Sequence, residues 1–129
     1  MATRQTPSQR DAHSAHIERI TNLTAFQATV ATATLGGMLI RRPMRLRSHS
    51  TGLGVCGTAG STVVQVHVNG SAISAATLTT DNADADGTVR NVGLDQALVA
   101  GDRLEIVVST APTGGTDLAV TVELVEDTI

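Results

Sequence analysis

Apolar and polar residues alternate with a period of two through the second half of the chain, the spacing of a half-buried β-strand. In "TVVQVHV" Val64, Val66 and Val68 alternate with Gln65 and His67, and the following Asn69-Gly70 pair favours a type I′ hairpin turn. The residues predicted to face inward in the last two strands are Leu104, Ile106, Val108, Leu118, Val120, Val122 and Leu124. The predicted strands cover residues 44–50, 62–68, 71–79, 87–93, 102–109 and 117–125.

The connectors between these strands carry turn chemistry and no helical pattern. "VAGD" and "TAPTGGTD" are examples, rich in glycine, proline and aspartate. Short strands at near-regular spacing without intervening helices form antiparallel sandwiches or jelly rolls. We therefore predict an all-β domain, an antiparallel β-sandwich or jelly roll, over residues 44–129.

The first third of the chain is predicted to be an N-terminal arm, residues 1–43, that contains a short helix at about residues 7–22. The helix start is indicated by an N-cap, a first-turn proline and a capping-box glutamine, Thr6, Pro7 and Gln9. Three apolar residues would share one helix face: Ile17, Ile20 and Leu23. That face could pack on its own domain or dock on a partner or a sister subunit, and the pattern leaves these alternatives open.

After the helix, "FQATVATATLGG" is compatible with a strand in which Phe26, Ala28, Val30 and Thr32 alternate, and Gly36-Gly37 is predicted to break it. On this division of the chain, removal of residues 1–35 should leave a folded β-domain.

Charge is unevenly distributed along the sequence. Residues 1–50 hold seven Arg and two acidic residues, a balance of +5, whereas residues 51–129 hold two Arg and ten acidic residues, a balance of −8. The basic segment 38–49 contains four arginines around Pro43: Arg41, Arg42, Arg45 and Arg47. These arginines could form a solvated strand face or dock on an acidic protein surface. Nucleic acid is not expected as a partner, because no aromatic residue is interleaved to stack a base and the whole chain is acidic.

The stretch "GLGVCG", residues 52–57, has the spacing of a dinucleotide-binding loop. The fingerprint requires a helix N-terminus directly after it to receive the pyrophosphate, and here a predicted strand follows instead. We interpret the glycines as bends between strands. Every cationic side chain is an arginine, so a Walker A loop and a Schiff-base lysine are both excluded.

Candidate catalytic and metal-binding residues are few. His13 and His16 lie three residues apart without a third ligand, and Cys56 and His67 have no nucleophile-elbow sequence around them. The segment "NADADG" places three oxygen-bearing side chains at alternate positions as a calcium loop does, but position twelve is a glycine where a bidentate glutamate is needed; these side chains are Asn82, Asp84 and Asp86. We expect a non-enzymatic protein without cofactor or metal, with this loop as a weak calcium candidate.

Aromatic residues are nearly absent, with one Phe and no Tyr or Trp. A core of small branched side chains buries less area per residue, so self-association is an expected source of stability. Phe26 alone is a poor platform for carbohydrate stacking. No apolar run is long enough for a membrane span and no signal peptide is seen, so no membrane partner is expected.

The order "GTAGSTVVQVHVNGSAI", "ALVAGDRLEIVVST" and "GGTDLAVTVELVE" resembles a small β-sandwich module of tailed-bacteriophage virion proteins, of the capsid decoration, head-fibre or tail-fibre type. The resemblance covers about residues 44–126 and rests on turn and strand motifs. It implies a structural protein on the virion surface, assembled in the host cytoplasm and forming a homotrimer. The arm, with its four arginines and with Ile17, Ile20 and Leu23, would attach it to the major capsid protein or another virion protein. A receptor- or carbohydrate-binding tail-fibre or baseplate module is the alternative.

Overall fold

Two antiparallel sheets form a β-sandwich in the computed structural model, which describes residues 19–127. The first sheet has the strand order β1-β9-β3-β7; in the second, β2, β8 and β4 are adjacent in that order, and β5 and β6 both pair with β4. The strands are β1 (Ile20–Thr29), β2 (Ala33–Leu39), β3 (Met44–Val55), β4 (Ser61–Val68), β5 (Ser71–Ala72), β6 (Leu78–Asp81), β7 (Val89–Leu98), β8 (Arg103–Thr110) and β9 (Thr116–Glu126), with one 3₁₀ turn at Ser74–Ala76. The predicted sandwich class is confirmed. Across residues 19–127, no helix is long and apolar enough to cross a membrane.

The core lies between the two sheets and consists almost entirely of branched aliphatic side chains. The inward rows predicted from the period-two pattern on β8 and β9 are buried, as are Val64 and Val66 on β4, whereas Val68 at the strand end is half-buried. Because both sheets contribute one apolar face, the core forms where these two faces meet.

The N-terminal division of the chain at residue 44 is wrong, because residues before it supply an edge strand to each sheet. β1 pairs with β9 from Ile20 to Thr29, and β2 pairs with β8 through Gly36 and Gly37, which lie at a bulge and do not end the strand. Removing residues 1–35 would therefore delete β1 and part of β2. A sandwich that lost them would expose the flank of its core.

The predicted helix is also corrected where the structure describes it. Residues 20–22 belong to β1, while residues 7–18, and with them Ile17, lie outside the described residues. On β1, Leu23 and Ala25 pack towards the core, whereas Phe26 faces outward. β-branched residues and the partner β9 favour the extended form here, which outweighs the helical spacing of Ile20 and Leu23.

A bulge in β3 changes which side chains enter the core. The register of β3 shifts between Leu46 and Ser48 against both of its neighbours. One extra residue inverts the alternation beyond it, so His49, Thr51 and Leu53 are buried instead of their neighbours.

The two ends of the sandwich differ in content, and we name them the basic end and the loop end. The basic end holds the start of β1, the connector 40–43, the loop 99–102 and the end of β9, joined by hydrogen bonds such as Ile40 N–H to Asp102 O (2.8 Å). The loop end holds the connectors 30–32, 56–60, 82–88 and 111–115, joined by bonds such as Val30 N–H to Gly115 O (3.0 Å).

Candidate functional site

Arginines of the basic segment meet acidic residues of their own chain at the basic end. Arg42 Nη1 lies 3.1 Å from Glu126 Oε1, and Arg19 Nε lies 3.7 Å from the other oxygen of the same carboxylate. The pairing follows from topology, because β1 and β3 both flank β9 and bring the basic front of the chain beside its acidic C-terminal strand. Part of the charge asymmetry seen in the sequence is therefore neutralised within one chain.

Arg45 makes a second set of ion pairs on the same end of β3. Its Nη1 lies 3.1 Å from Asp95 Oδ1, and its Nε lies 3.7 Å from Asp127 Oδ2. Arg47, two residues further on, is half-buried. These exposed pairs are each worth about 0 to 1 kcal/mol, so a partner with a better-placed carboxylate can replace them at little cost.

A shallow cleft of about 280 Å³ opens at the basic end between the edge strands β1 and β2. Arg41 and Arg42 stand beside an apolar wall that includes Leu39, whose side chain is 57% exposed. Arg41 has no ion pair within residues 19–127 and is exposed. The full lining is Thr21, Met38, Leu39, Arg41, Arg42, Met44 and Glu126. This combination suits a carboxylate that is attached to an apolar group.

The side chains of the calcium candidate at the loop end already form hydrogen bonds within the chain. Asp84 Oδ2 accepts hydrogen bonds from Arg90 Nη2 (2.7 Å) and from the Asp81 N–H (2.9 Å), and these bonds hold the pKa of Asp84 below its ordinary value. Asp86 Oδ1 accepts from the Cys56 N–H (3.1 Å), and Asn82 Nδ2 donates to a carbonyl of the neighbouring loop. In residues 19–127 no three His, Cys, Asp or Glu side chains are grouped to hold a metal ion.

The "GLGVCG" glycines allow close approach between backbones. Gly57 has φ +100°, and a Cβ there would lie 2.6 Å from Thr113 O; at Gly54 it would lie 2.8 Å from the Asp117 Cβ. The chain continues from this turn into β4, so no helix N-terminus receives a phosphate. Residues 52–55 form the end of β3, so Gly52 and Gly54 are not bends between strands; Cys56 and Gly57 begin the turn into β4, and Gly57 packs against connector 111–115.

Cys56 and His67 are not brought together. Cys56 lies buried at the loop end, and burial raises the pKa of its thiol, with Asp86 and Asp84 raising it further. β4 runs away from that end, so His67 lies near the other end, where its Nε2 contacts Gln65 Oε1 (2.9 Å). His13 and His16 lie outside the described residues. Within residues 19–127, Cys56 and His67 do not form a nucleophile–base pair.

A buried histidine that the sequence pattern did not single out lies in the core. His49 Nδ1 lies 2.7 Å from Ala76 O, and its Nε2 lies 2.8 Å from Thr51 Oγ1. Because the carbonyl can only accept, Nδ1 carries the proton and Nε2 accepts from the hydroxyl. Burial lowers the pKa of His49 and the Ala76 carbonyl opposes the shift in part. With no solvent exposure, His49 fixes the 3₁₀ turn to β3 and does not form a reaction centre.

The outer face of the first sheet carries the chain's single aromatic side chain. Phe26 is 64% exposed and Val89 is 62% exposed, and they occupy one cross-strand row through Ala119 and Gly52. Ile20 on the same strand is 56% exposed, whereas Leu23 packs against the core, so the two do not form a common docking face. The sequence could not identify this row, because it joins four strands that are distant along the chain.

The sequence matches no protein-family model and no curated protein. Among solved structures, dimeric latent PorU from Porphyromonas gingivalis is similar at 13% identity and a TM-score of 0.48 over 85% of this chain, which spans 13% of that chain. A family 35 carbohydrate binding module from Clostridium thermocellum is similar at 12% identity and a TM-score of 0.43, with 80% of this chain and 90% of that chain covered. Neither similarity carries an argument about function.

Proposed function

We propose that this chain is a non-enzymatic structural protein of a bacteriophage particle, a decoration protein of the capsid surface that attaches through its basic end. The motif resemblance supplies the class of particle, and the polarity of the sandwich supplies the attachment site. The chain enters β1 from residues 1–18 at the same end that holds Arg41, Arg42 and Arg45. The acidic connector 82–88 lies at the opposite end.

The observation that carries this proposal is the coincidence of chain entry, arginines and apolar cleft at one end. An anchored module needs one surface that binds the shell and an opposite surface that tolerates solvent. Arg41 and the exposed Leu39 provide charge and apolar area for an acidic shell surface. Single exposed ion pairs are weak, but the same contact repeated in a symmetric assembly adds avidity.

The test is binding to phage particles that lack this protein, with bound copies counted by cryo-electron microscopy. The variant that lacks residues 2–18 keeps every described strand and should melt as a folded domain but decorate poorly. The double variant Arg41→Gln/Arg42→Gln should bind about 3- to 30-fold more weakly and with less salt dependence, as expected for two exposed pairs.

Arg90→Gln is the matched control, because Arg90 lies towards the loop end and pairs with Asp84. It should decorate like the unmodified chain. If the shortened chain and the double variant both saturate particles at normal salt, the basic end is not the anchor. If the unmodified chain binds no particle at all, the decoration function itself is wrong.

A second candidate function is carbohydrate or receptor binding, favoured by the exposed Phe26 beside a neutral row of hydroxyl and amide side chains. That row runs across the first sheet as Thr24, Thr121, Ser50 and Asn91. One aromatic ring next to polar groups can stack on a sugar face. Glycan-array binding that is lost in Phe26→Ala would support this function, and no binding at millimolar sugar would remove it.

A further inference from the structure

We propose that copies of this chain associate side by side in a closed ring, with β1 of one copy against β7 of the next and Phe26 facing the neighbour's Val89. Such a ring could form whether or not the chain attaches to a particle. The inference rests on the edges of the first sheet, where β1 and β7 each have one paired neighbour within residues 19–127.

The edge strand β1 lacks the features that keep sheet edges apart. Its ten residues, "ITNLTAFQAT", include no charged residue and no proline, and it carries Ile20 and Phe26 exposed. Natural edge strands are normally protected by charge, proline, bulges or a covering segment. The register of β1 with β9 is continuous, so no bulge turns this edge away from a partner.

Strand directions allow the first sheet to continue from copy to copy. Neighbouring strands in the order β1-β9-β3-β7 are all antiparallel, so β1 and β7 run in opposite directions. Rotation about an axis parallel to the strands preserves their direction in every copy. β7 of one copy would then meet β1 of the next in the antiparallel arrangement, with the ladder formed over residues 89–93, because the register of β7 with β3 shifts between Gly93 and Gln96.

The level of the exposed apolar side chains favours closure of the ring. Phe26 pairs with Ala119, Ala119 with Gly52, and Gly52 with Val89, so Phe26 and Val89 lie at the same height along the strands on opposite edges. When Phe26 of one copy contacts Val89 of the next at the same height, the second copy is not shifted along the ring axis. Head-to-tail contacts without axial displacement close into rings, whereas displaced ones form helical filaments.

The second sheet offers a compatible edge on each side. β2 lies beneath β1, and β6 with the 3₁₀ turn lies beneath β7. A side face about 34 Å long, from ten residues at about 3.4 Å each, and about 20 Å wide would bury about 700 Å² per copy, close to that of a standard stable interface. The charged residues of β7, Arg90 and Asp95, are already paired with Asp84 and Arg45 of their own chain, so a second copy can cover this edge without leaving them unpaired.

Cross-linking between copies of the full chain tests this geometry. In the double variant Phe26→Cys/Val89→Cys, mild oxidation should give a ladder of covalent oligomers that ends at the closed ring. Either single variant alone should give no cross-linked product, because Phe26 does not face Phe26 in a head-to-tail ring. The double variant Phe26→Cys/Val99→Cys is the matched control, since Val99 is 60% exposed but lies in the loop at the basic end.

A charge introduced at this edge provides an independent readout. Phe26→Asp should weaken association at least about 10-fold by light scattering, as expected when a buried aromatic contact is replaced by a charge. Val99→Asp should leave it unchanged. Dimers formed by Phe26→Cys alone, an oligomer without Phe26–Val89 cross-links, or a monomeric chain would each overturn the inference. A monomer that binds glycans through Phe26 would assign the same face to sugar instead.

Discussion

Substitution of Gly57 by alanine should destabilise the fold far more than the same change at Gly70. Both glycines have positive φ, +100° and +85°, so both changes carry a backbone cost of about 1 to 2 kcal/mol. At Gly70 an added Cβ would meet nothing within 4 Å. At Gly57 it would lie 2.6 Å from Thr113 O and 3.2 Å from the Pro112 Cβ.

The extra loss of stability at Gly57 arises because connector 111–115 must move to make room for the added Cβ. Displacing connector 111–115 stretches the bond from the Thr58 N–H to Thr113 O, now 2.8 Å, which is worth about 0.5 to 1.5 kcal/mol. Overpacking against the buried Pro112 adds about 1 to 3 kcal/mol. Gly57→Ala should therefore lower the free energy of unfolding by about 2.5 to 6.5 kcal/mol.

Urea unfolding followed by circular dichroism measures both variants, with Gly70→Ala as the control for backbone conformation alone. A matched loss of about 1 to 2 kcal/mol in both variants would refute the close packing of Gly57 on connector 111–115. The interpretation of these glycines as structural would then lose its basis.

Three further predictions concern titratable side chains. Because the pKa of folded His49 lies below its ordinary value of 6.5, the unfolded chain binds the proton first as pH falls; stability should therefore drop below pH 6.5, less steeply in His49→Asn, by urea titration at each pH. Equal slopes would contradict the buried neutral imidazole. Cys56, with its raised pKa and full burial, should react with a thiol reagent only on unfolding, so rapid labelling of the native chain would disprove its burial. Calcium at about 5 mM, above the dissociation constants of weak extracellular sites, should shift Tm by less than about 1 °C, because Asp84 already pairs with Arg90. A larger rise in Tm would indicate that the loop binds calcium.

The sandwich class and the cores of β4, β8 and β9 could be predicted because their side chains alternate strictly. The alternation of Leu104 and Ile106 with charged or half-buried neighbours is a local signal that burial on one sheet face produces directly. The bounds of β1 and β2 were misplaced for a local reason as well, because the sequence predicted one strand from Phe26 to the Gly36-Gly37 pair where the structure has two. Ile20 and Leu23 are spaced as in a helix, and Gly36-Gly37 normally ends a strand, but pairing with β9 and β8 outweighs both signals.

Features of the candidate site depend on contacts that the sequence pattern does not contain. The ion pair of Arg42 with Glu126 joins residues at opposite ends of the chain through the order of the first sheet. The burial of His49 depends on one bulge residue, which inverts the alternation without a sequence signature. The row from Phe26 to Val89 requires three registers at once. Such non-local geometry decides which exposed residues act together.

Imaging of the intact phage particle, with this chain located and oriented in the density, tests the proposed function most directly. Copies should lie on the outer surface of the head, with the end that holds Arg41 and Arg42 against the shell and the connector 82–88 outermost. Absence of the chain from the particle, or contact with the shell through the connector 82–88 instead, would contradict it.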